Sequence, residues 1–138
     1  TAPALNVSEE LAAEARGMAE LLAEEINLQG ILTIELFVTK DGRLLANEIA
    51  PRTHNSGHYS MDACEFSQFD NHVRAVCGLE VQEPSQHSHI RMINLIGEDV
   101  NDLAKYMDRD DATIHLYGKK DVKPGRKMGH VNITGEKL

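Results

Sequence analysis

Two apolar, β-rich runs, residues 31–38 and 44–49, flank Asp41-Gly42 and constrain this chain more than anything else in it. Asp-Gly is a strong hairpin signal, because a type I′ turn needs positive φ at both central residues. With Asp41 and Gly42 as the turn, Lys40 faces Arg43, Thr39 faces Leu44 and, counting outward, Glu35 faces Glu48. That pair is expected to be of the closer, non-hydrogen-bonded kind, with Cα atoms about 4.5 Å apart. The first run is apolar on both faces, which predicts a buried strand. Opposed like charges destabilise a sheet, the more so when buried.

Stability alone does not account for such a pair. One carboxyl can keep its proton, a cationic side chain can lie between the two, or a divalent metal can bridge them. Two hard oxygen ligands on a rigid sheet suit Mg²⁺, or Mn²⁺ in its place. Two solvated surface glutamates are the reading without a function. Asn47 adds an amide beside Glu48, but strict alternation turns it to the opposite face unless the strand bulges there.

The other elements give an α+β order. Leu11, Ala15, Met18, Leu22 and Ile26 recur at helical spacing over about 8–26, with Ser8 placed to cap the first turn and Asn27 to Gly30 to stop it. A second helix is predicted over about 65–77, ended by Gly78, and the polar run 83–88 marks a boundary. Beyond it the pattern predicts strands at 90–96, 112–117 and 127–134, with a short helix near 100–107. The expected division is 1–83 and a small β-rich unit at 84–138.

Polar groups crowd the segment after the acidic hairpin. Arg52 can fork onto a carboxylate or phosphate, and Asn55, Ser56 and Gly57 favour a tight turn whose N–H groups suit an anion. His54 and His58 have the i, i+4 spacing of a zinc helix, but Pro51 and Asn-Ser-Gly argue against a helix. An ordinary surface loop fits the same residues. Lys119, Lys120, Lys123, Arg126 and Lys127 crowd nine positions of a chain whose net charge is −8. A local patch of that kind points to one small anion or to a solvated turn, and the overall charge argues against a nucleic-acid partner. No apolar run approaches a membrane span, and Cys64 and Cys77 lack metal-like spacing, so reduced thiols in the cytoplasm are expected. The start at Thr1-Ala2-Pro3-Ala4 reads as a piece of a longer protein.

Asn47-Glu-Ile-Ala-Pro-Arg-Thr-His-Asn-Ser-Gly-His58 and Pro124-Gly-Arg-Lys-Met-Gly-His130 resemble the carboxyaminoimidazole ribonucleotide synthetases, ATP-grasp enzymes of purine biosynthesis. The resemblance extends through Asp62-Ala63-Cys64 and Ser67-Gln68-Phe69 and covers nearly the whole chain. It implies the second half of an ATP-grasp fold followed by a small C-terminal domain. The implied reaction turns ATP and bicarbonate into carboxyphosphate and passes the carboxyl to aminoimidazole ribonucleotide. Glu35 and Glu48 would hold Mg²⁺ on the nucleotide, with Asn47 and Glu48 at the ATP phosphates. Arg52, His54 and Asn55 would serve catalysis, with Arg52, Asn55, Ser56 and Gly57 on the substrates. Of the two histidines, His54 is the choice for any proton transfer. Lys119 and Arg126 would grip the ribonucleotide phosphate. An upstream N-terminal part and a homodimer are implied as partners, and this portion alone is expected to be inactive. Another ATP-grasp carboxylase, or a non-catalytic metal-binding or assembly domain, remains the alternative.

Overall fold

The structure is a computed structural model that describes Ala2 and residues 7–135. Of the first four residues, only Ala2 lies within that range. Helix α1 (Glu9–Glu25) starts where expected: the Ser8 side chain accepts from the Leu11 N–H at 3.2 Å, and Glu9 and Glu10 sit in the positive first turn. Asn27 ends it in the left-handed region, at φ 48°.

Strands β1 (Thr33–Val38) and β2 (Leu44–Ala50) form an antiparallel pair, but not through a two-residue turn. Thr39 O accepts from Gly42 N at 3.0 Å and Thr39 N donates to Arg43 O at 2.9 Å, so the loop is Lys40-Asp41-Gly42. Only Gly42 has positive φ there, at 80°, and a type I′ turn at Asp41-Gly42 is therefore excluded. Val38, Phe37 and Leu36 then face Leu44, Leu45 and Ala46, one residue out of the expected register. A bulge between Leu36 and Glu35 restores it, and Glu35 does face Glu48. The expected burial is not found: Phe37, Val38, Leu45 and Ile49 are each about half exposed, and since Phe37 and Val38 point to opposite faces, neither face of the hairpin is fully covered by the described residues.

The predicted second helix is present but shorter, and an unpredicted one precedes it. Helix α2 (Ser60–Ala63) lies inside the expected loop, and α3 (Gln68–Val76) begins three residues late. A capping box decides that start: Ser67 caps the Asp70 N–H while the Asp70 carboxylate accepts from the Ser67 N–H at 2.8 Å. Three strands follow: β3 (Ile90–Ile96), β4 (Ala112–Leu116) and β5 (Lys127–Thr134), in spatial order β3-β5-β4, all antiparallel. Between β3 and β4 a 3₁₀ segment (Gly97–Asp102) precedes α4 (Ala104–Met107) in place of one helix.

The central strand β5 is buried on both faces. Val131 and Ile133 pack with Leu95, Ile93, Leu103, Tyr106 and Ile114, and each fully buried aliphatic contributes roughly 1.5–3 kcal/mol. The other face, His130 and Asn132, is polar, fully buried, and turned toward α2. Strand β4 presses so close to β5 that a Cβ on Gly129 would collide with the His115 carbonyl and lie 3.2 Å from the Leu116 side chain.

Two glycines should therefore respond oppositely in denaturant unfolding. Gly129→Ala is expected to cost about 1–3 kcal/mol by forcing β4 aside. Gly17→Ala, in mid-α1 with nothing within 4 Å of its added methyl, should gain about 0.5–1 kcal/mol.

Candidate functional site

The bulge sets the acidic end of the site. Asn47 is its extra residue, and its amide reaches the face that strict alternation denied it, donating to Glu35 Oε2 at 3.1 Å. On the other side His54 Nε2 lies 3.4 Å from Glu35 Oε1. The Ser56 N–H donates to His54 Nδ1 at 3.3 Å, so the ring proton belongs on Nε2, the nitrogen nearer Glu35. Among the described residues no cation pairs with Glu48, which is exposed. The cationic side chain that could have relieved the pair is thus not found. Two opposed carboxylates with a side-chain amide beside them fit a hard divalent cation that fills its other positions elsewhere. No group of three or more His, Cys, Asp or Glu is arranged to hold a metal among the described residues.

The segment after β2 folds into a 3₁₀ turn, Asn55–Gly57, rather than a zinc helix. Its backbone donors are used internally. Ser56 N–H meets the His54 ring, Gly57 N–H the His54 carbonyl at 3.0 Å, and His58 N–H the Asn55 carbonyl at 3.1 Å. Of the N–H groups expected to meet an anion, those of Ser56 and Gly57 are therefore spent, and side chains supply most of any anion contact. Gly57 has a different reason to be glycine: a Cβ there would lie 2.5 Å from Gln68 Oε1.

Side chains from both sheets do converge. Arg52, Thr53, His54, Asn55 and His58 face Tyr117, Lys119 and Lys127 across a cavity of about 290 Å³. Asn55 Nδ2 donates to Asn94 Oδ1 of β3 at 2.8 Å, which ties the turn to the second sheet. Lys119 Nζ donates to the Lys127 carbonyl at 2.5 Å and stands 5.4 Å from the centre of the Tyr117 ring. Arg126 does not line this cavity, and its guanidinium donates to the Asp121 carbonyl at 3.1 Å. Ser56 turns to His54 Nδ1, at 2.8 Å, and lines a separate cavity with Tyr59 and Met92. Sequence reasoning missed Thr53, Tyr117 and Lys127. Lys127 lay within the basic cluster, and only the pairing of β4 with β5 shows that it, and Tyr117 after β4, reach the loop.

Behind the cavity the rings of His58, His130 and His115 stack, with centroids 5.2 and 4.6 Å apart. Tyr117 Oη and His130 Nδ1 are 2.8 Å apart. Burial, then the neighbouring His115 and His58, push the His130 pKa down to about 4, with Asp62 opposing. Burial, then His54, Lys127 and His115, lower that of His58 as well.

Two family models match the chain: ATP-grasp domain over residues 1–69 and phosphoribosylaminoimidazole carboxylase C-terminal domain over residues 91–138. The chain belongs to the ATP-grasp family. Relatives that it matches include N5-carboxyaminoimidazole ribonucleotide synthases. That of Brucella melitensis is 48% identical over 131 residues, which are 95% of this chain and 36% of the relative. That of Bacillus subtilis is 46% identical over 125 residues, 87% of this chain and 32% of the relative. A crystal structure of an N5-carboxyaminoimidazole ribonucleotide synthetase with ADP matches with TM-score 0.90 and 45% identity, over 97% of this chain and 36% of that one. The Aspergillus clavatus synthase with ADP and aminoimidazole ribonucleotide matches with TM-score 0.90 and 36% identity, over 97% and 38%. The chain thus spans about a third of the length of the relatives it matches.

The buried histidines predict a pH dependence of stability. The unfolded chain takes up a proton on His130 near pH 6.5, while the folded chain refuses it until about pH 4. The stabilisation is therefore complete above about 6.5 and is lost as pH falls toward 4, on the order of 3 kcal/mol from this one group. Melting curves between pH 7 and 4 check it: His130→Phe, which keeps a ring but cannot titrate, should flatten the slope.

Proposed function

We propose that this chain supplies the metal-and-acceptor half of an N5-carboxyaminoimidazole ribonucleotide synthase, working with an N-terminal part like that of its relatives. The observation that carries the reading is the cavity in which Arg52, His54 and Asn55 face Lys119 and Lys127 across the two sheets, beside the Glu35–Glu48 pair. Residues 1–83 are read as the second ATP-grasp subdomain and 84–138 as the small C-terminal domain, in line with the two family matches.

In this reading ATP phosphorylates bicarbonate to carboxyphosphate, ADP leaves, and the exocyclic amine of aminoimidazole ribonucleotide takes the carboxyl group with release of phosphate. Glu35 and Glu48, with Asn47 beside them, would hold Mg²⁺ or Mn²⁺, which when bound offsets charge on the nucleotide phosphates. The Asn47 amide holds Glu35 in place, and His54 Nε2 lies 3.4 Å from the same carboxylate. With the Ser56 N–H on its Nδ1, His54 turns only Nε2 toward Glu35, which favours a positioning role for it over proton exchange. The exposed Arg52 guanidinium, whose Nη1 donates to the Thr53 carbonyl, is free to meet a carboxylate or phosphate with its remaining donors. Asn55, held by Asn94, gives the acceptor a fixed amide edge. Lys119 and Lys127 suit the 5′-phosphate, with Arg126 joining if its bond to the Asp121 carbonyl is exchanged.

The uncovered apolar hairpin supports a further segment packing on it, and a homodimer and a cytoplasmic setting are read from the family. No helix among the described residues is long and apolar enough to cross a membrane.

ADP release by the full-length protein, with bicarbonate and with or without aminoimidazole ribonucleotide, tests the reading. Glu48→Gln should lower it by roughly two to three orders of magnitude while stability holds or rises slightly, as one of two opposed charges is gone. Unchanged turnover would remove the metal role. Lys127→Ala should raise KM for the ribonucleotide about 10-fold or more and leave KM for ATP alone.

A further inference from the structure

Every hydrogen-bonding atom of the Gln68 carboxamide is spent on the loop. Oε1 accepts from the His54 N–H at 2.9 Å, and Nε2 donates to the His54 carbonyl at 2.8 Å. The second Nε2 hydrogen goes to His58 Nδ1, also at 2.8 Å. The two backbone groups of His54 leave the amide no choice of orientation, since a flip would set N–H against N–H and carbonyl against carbonyl. With its orientation set, only the NH₂ can face His58. An amide nitrogen accepts no hydrogen bond, so His58 Nδ1 must present its lone pair and the ring proton must sit on Nε2.

The surroundings are built for this arrangement. The Gln68 N–H donates to Ser60 Oγ at 2.9 Å, and Ser60 Oγ donates to the Gly57 carbonyl at 2.6 Å, which closes a ring of bonds between the turn and α3. Gly57 lacks the Cβ that would occupy the carboxamide's place. The His58 ring, packed between Phe69 at 5.4 Å and His130 at 5.2 Å, lines both the Arg52–Lys127 cavity and an apolar one of about 330 Å³ with Met61, Phe69, His115, Leu116 and Tyr117. The groups facing it are His54 from the turn, His115 and Tyr117 at the end of β4, and Lys127 and His130 from β5. None is an anion, so nothing there favours the imidazolium, and burial works against it.

We propose that Gln68 is a positioning residue of the site, holding His58 as an Nε2–H donor to an acceptor oxygen of the ligand in the Arg52–Lys127 cavity. This rests on the synthase reading above, with an oxygen of bicarbonate, carboxyphosphate or the ribonucleotide phosphate as the acceptor. His58 then contributes a directed hydrogen bond rather than a basic nitrogen, because its lone pair is already taken.

The test uses the full-length protein and two readouts. Long-range ¹⁵N–¹H correlation spectra of histidine-labelled protein report the tautomer: His58 should carry its proton on Nε2, and Gln68→Glu should move it to Nδ1 or add a second proton. For ADP release, Gln places an amide N–H near the Nε2 position, whereas Asn reaches only the Nδ1 position. His58→Gln should therefore stay within about 5-fold of wild type, while His58→Asn and Gln68→Glu lose about 10- to 100-fold. A wild-type Nδ1–H tautomer, or equal losses in His58→Gln and His58→Asn, would overturn the proposal. If wild type releases no ADP with bicarbonate and the ribonucleotide, the synthase reading fails by itself. The spectra still decide what Gln68 does to His58, whichever way a folding defect in one variant falls.

Discussion

One carboxylate fastens to two strands of the second sheet. Asp62 Oδ2 accepts from His115 Nε2 at 2.8 Å and from Asn132 Nδ2 at 2.6 Å, fastening α2 to β4 and β5 at once. Its side chain is only 17% exposed, so water cannot readily replace either donor. A buried carboxylate that lost them would be left uncompensated, which costs several kcal/mol, so the three groups hold together or fail together. The functional geometry follows from that clamp. Arg52 to His58 come from the first sheet's side and Lys119 and Lys127 from the second, and they share a cavity because α2 is held down between them. The buried polar face of β5, an expensive choice for a central strand, makes sense as the receiving surface for this one residue.

The opposed glutamates obey a related logic of local cost and local compensation. A regular hairpin would set two carboxylates against each other and turn Asn47 away. The bulge adds one residue, keeps Glu35 opposite Glu48, and brings the Asn47 amide to Glu35. His54 Nε2 lies 3.4 Å from the same carboxylate. Glu35 is thereby half satisfied by protein while Glu48 stays open to solvent. That asymmetry suits a pair with one anchored and one adaptable ligand better than it suits a structural ion sealed inside protein.

Much of this was legible in the sequence, though not always for the right reason. The Glu35–Glu48 pairing was read correctly through two errors that cancel: the loop has three residues rather than two, and the bulge returns the missing step. Strand pattern shows where strands lie, but an Asp-Gly pair fits either hairpin loop, because Gly42 supplies positive φ in both. The start of α3 was signalled by Ser67-Gln-Phe-Asp70 and was overrun because Phe66 extends the apolar spacing by one residue. The three C-terminal strands were found nearly to the residue, since Gly97, Gly118 and Gly135 punctuate them. The turn after β2 was read from its composition, but the availability of its N–H groups was not. Turn composition predicts exposed N–H groups, and only the fold reveals that the His54 ring and two carbonyls consume them. Tyr117 was not singled out, and Gln68 only as part of a resemblance with no role, because what each touches appears only once β4 meets β5 and α3 meets the turn.

The two sheets also differ in how fully they are finished. The β3-β5-β4 sheet closes its own core, with Ile90, Val131 and Ile133 inaccessible to solvent. The β1-β2 pair does not: four of its large apolar side chains stand about half exposed, and a two-stranded sheet is marginal in water without something packed against it. The acidic pair sits on that unfinished sheet, and the basic cavity belongs partly to the finished one. A rigid acceptor end joined to a nucleotide end that is completed from outside would let the cavity keep its shape while the phosphate-binding side closes. The Asp62 clamp stands at that junction, since it ties α2, just after the loop, to the sheet with the closed core.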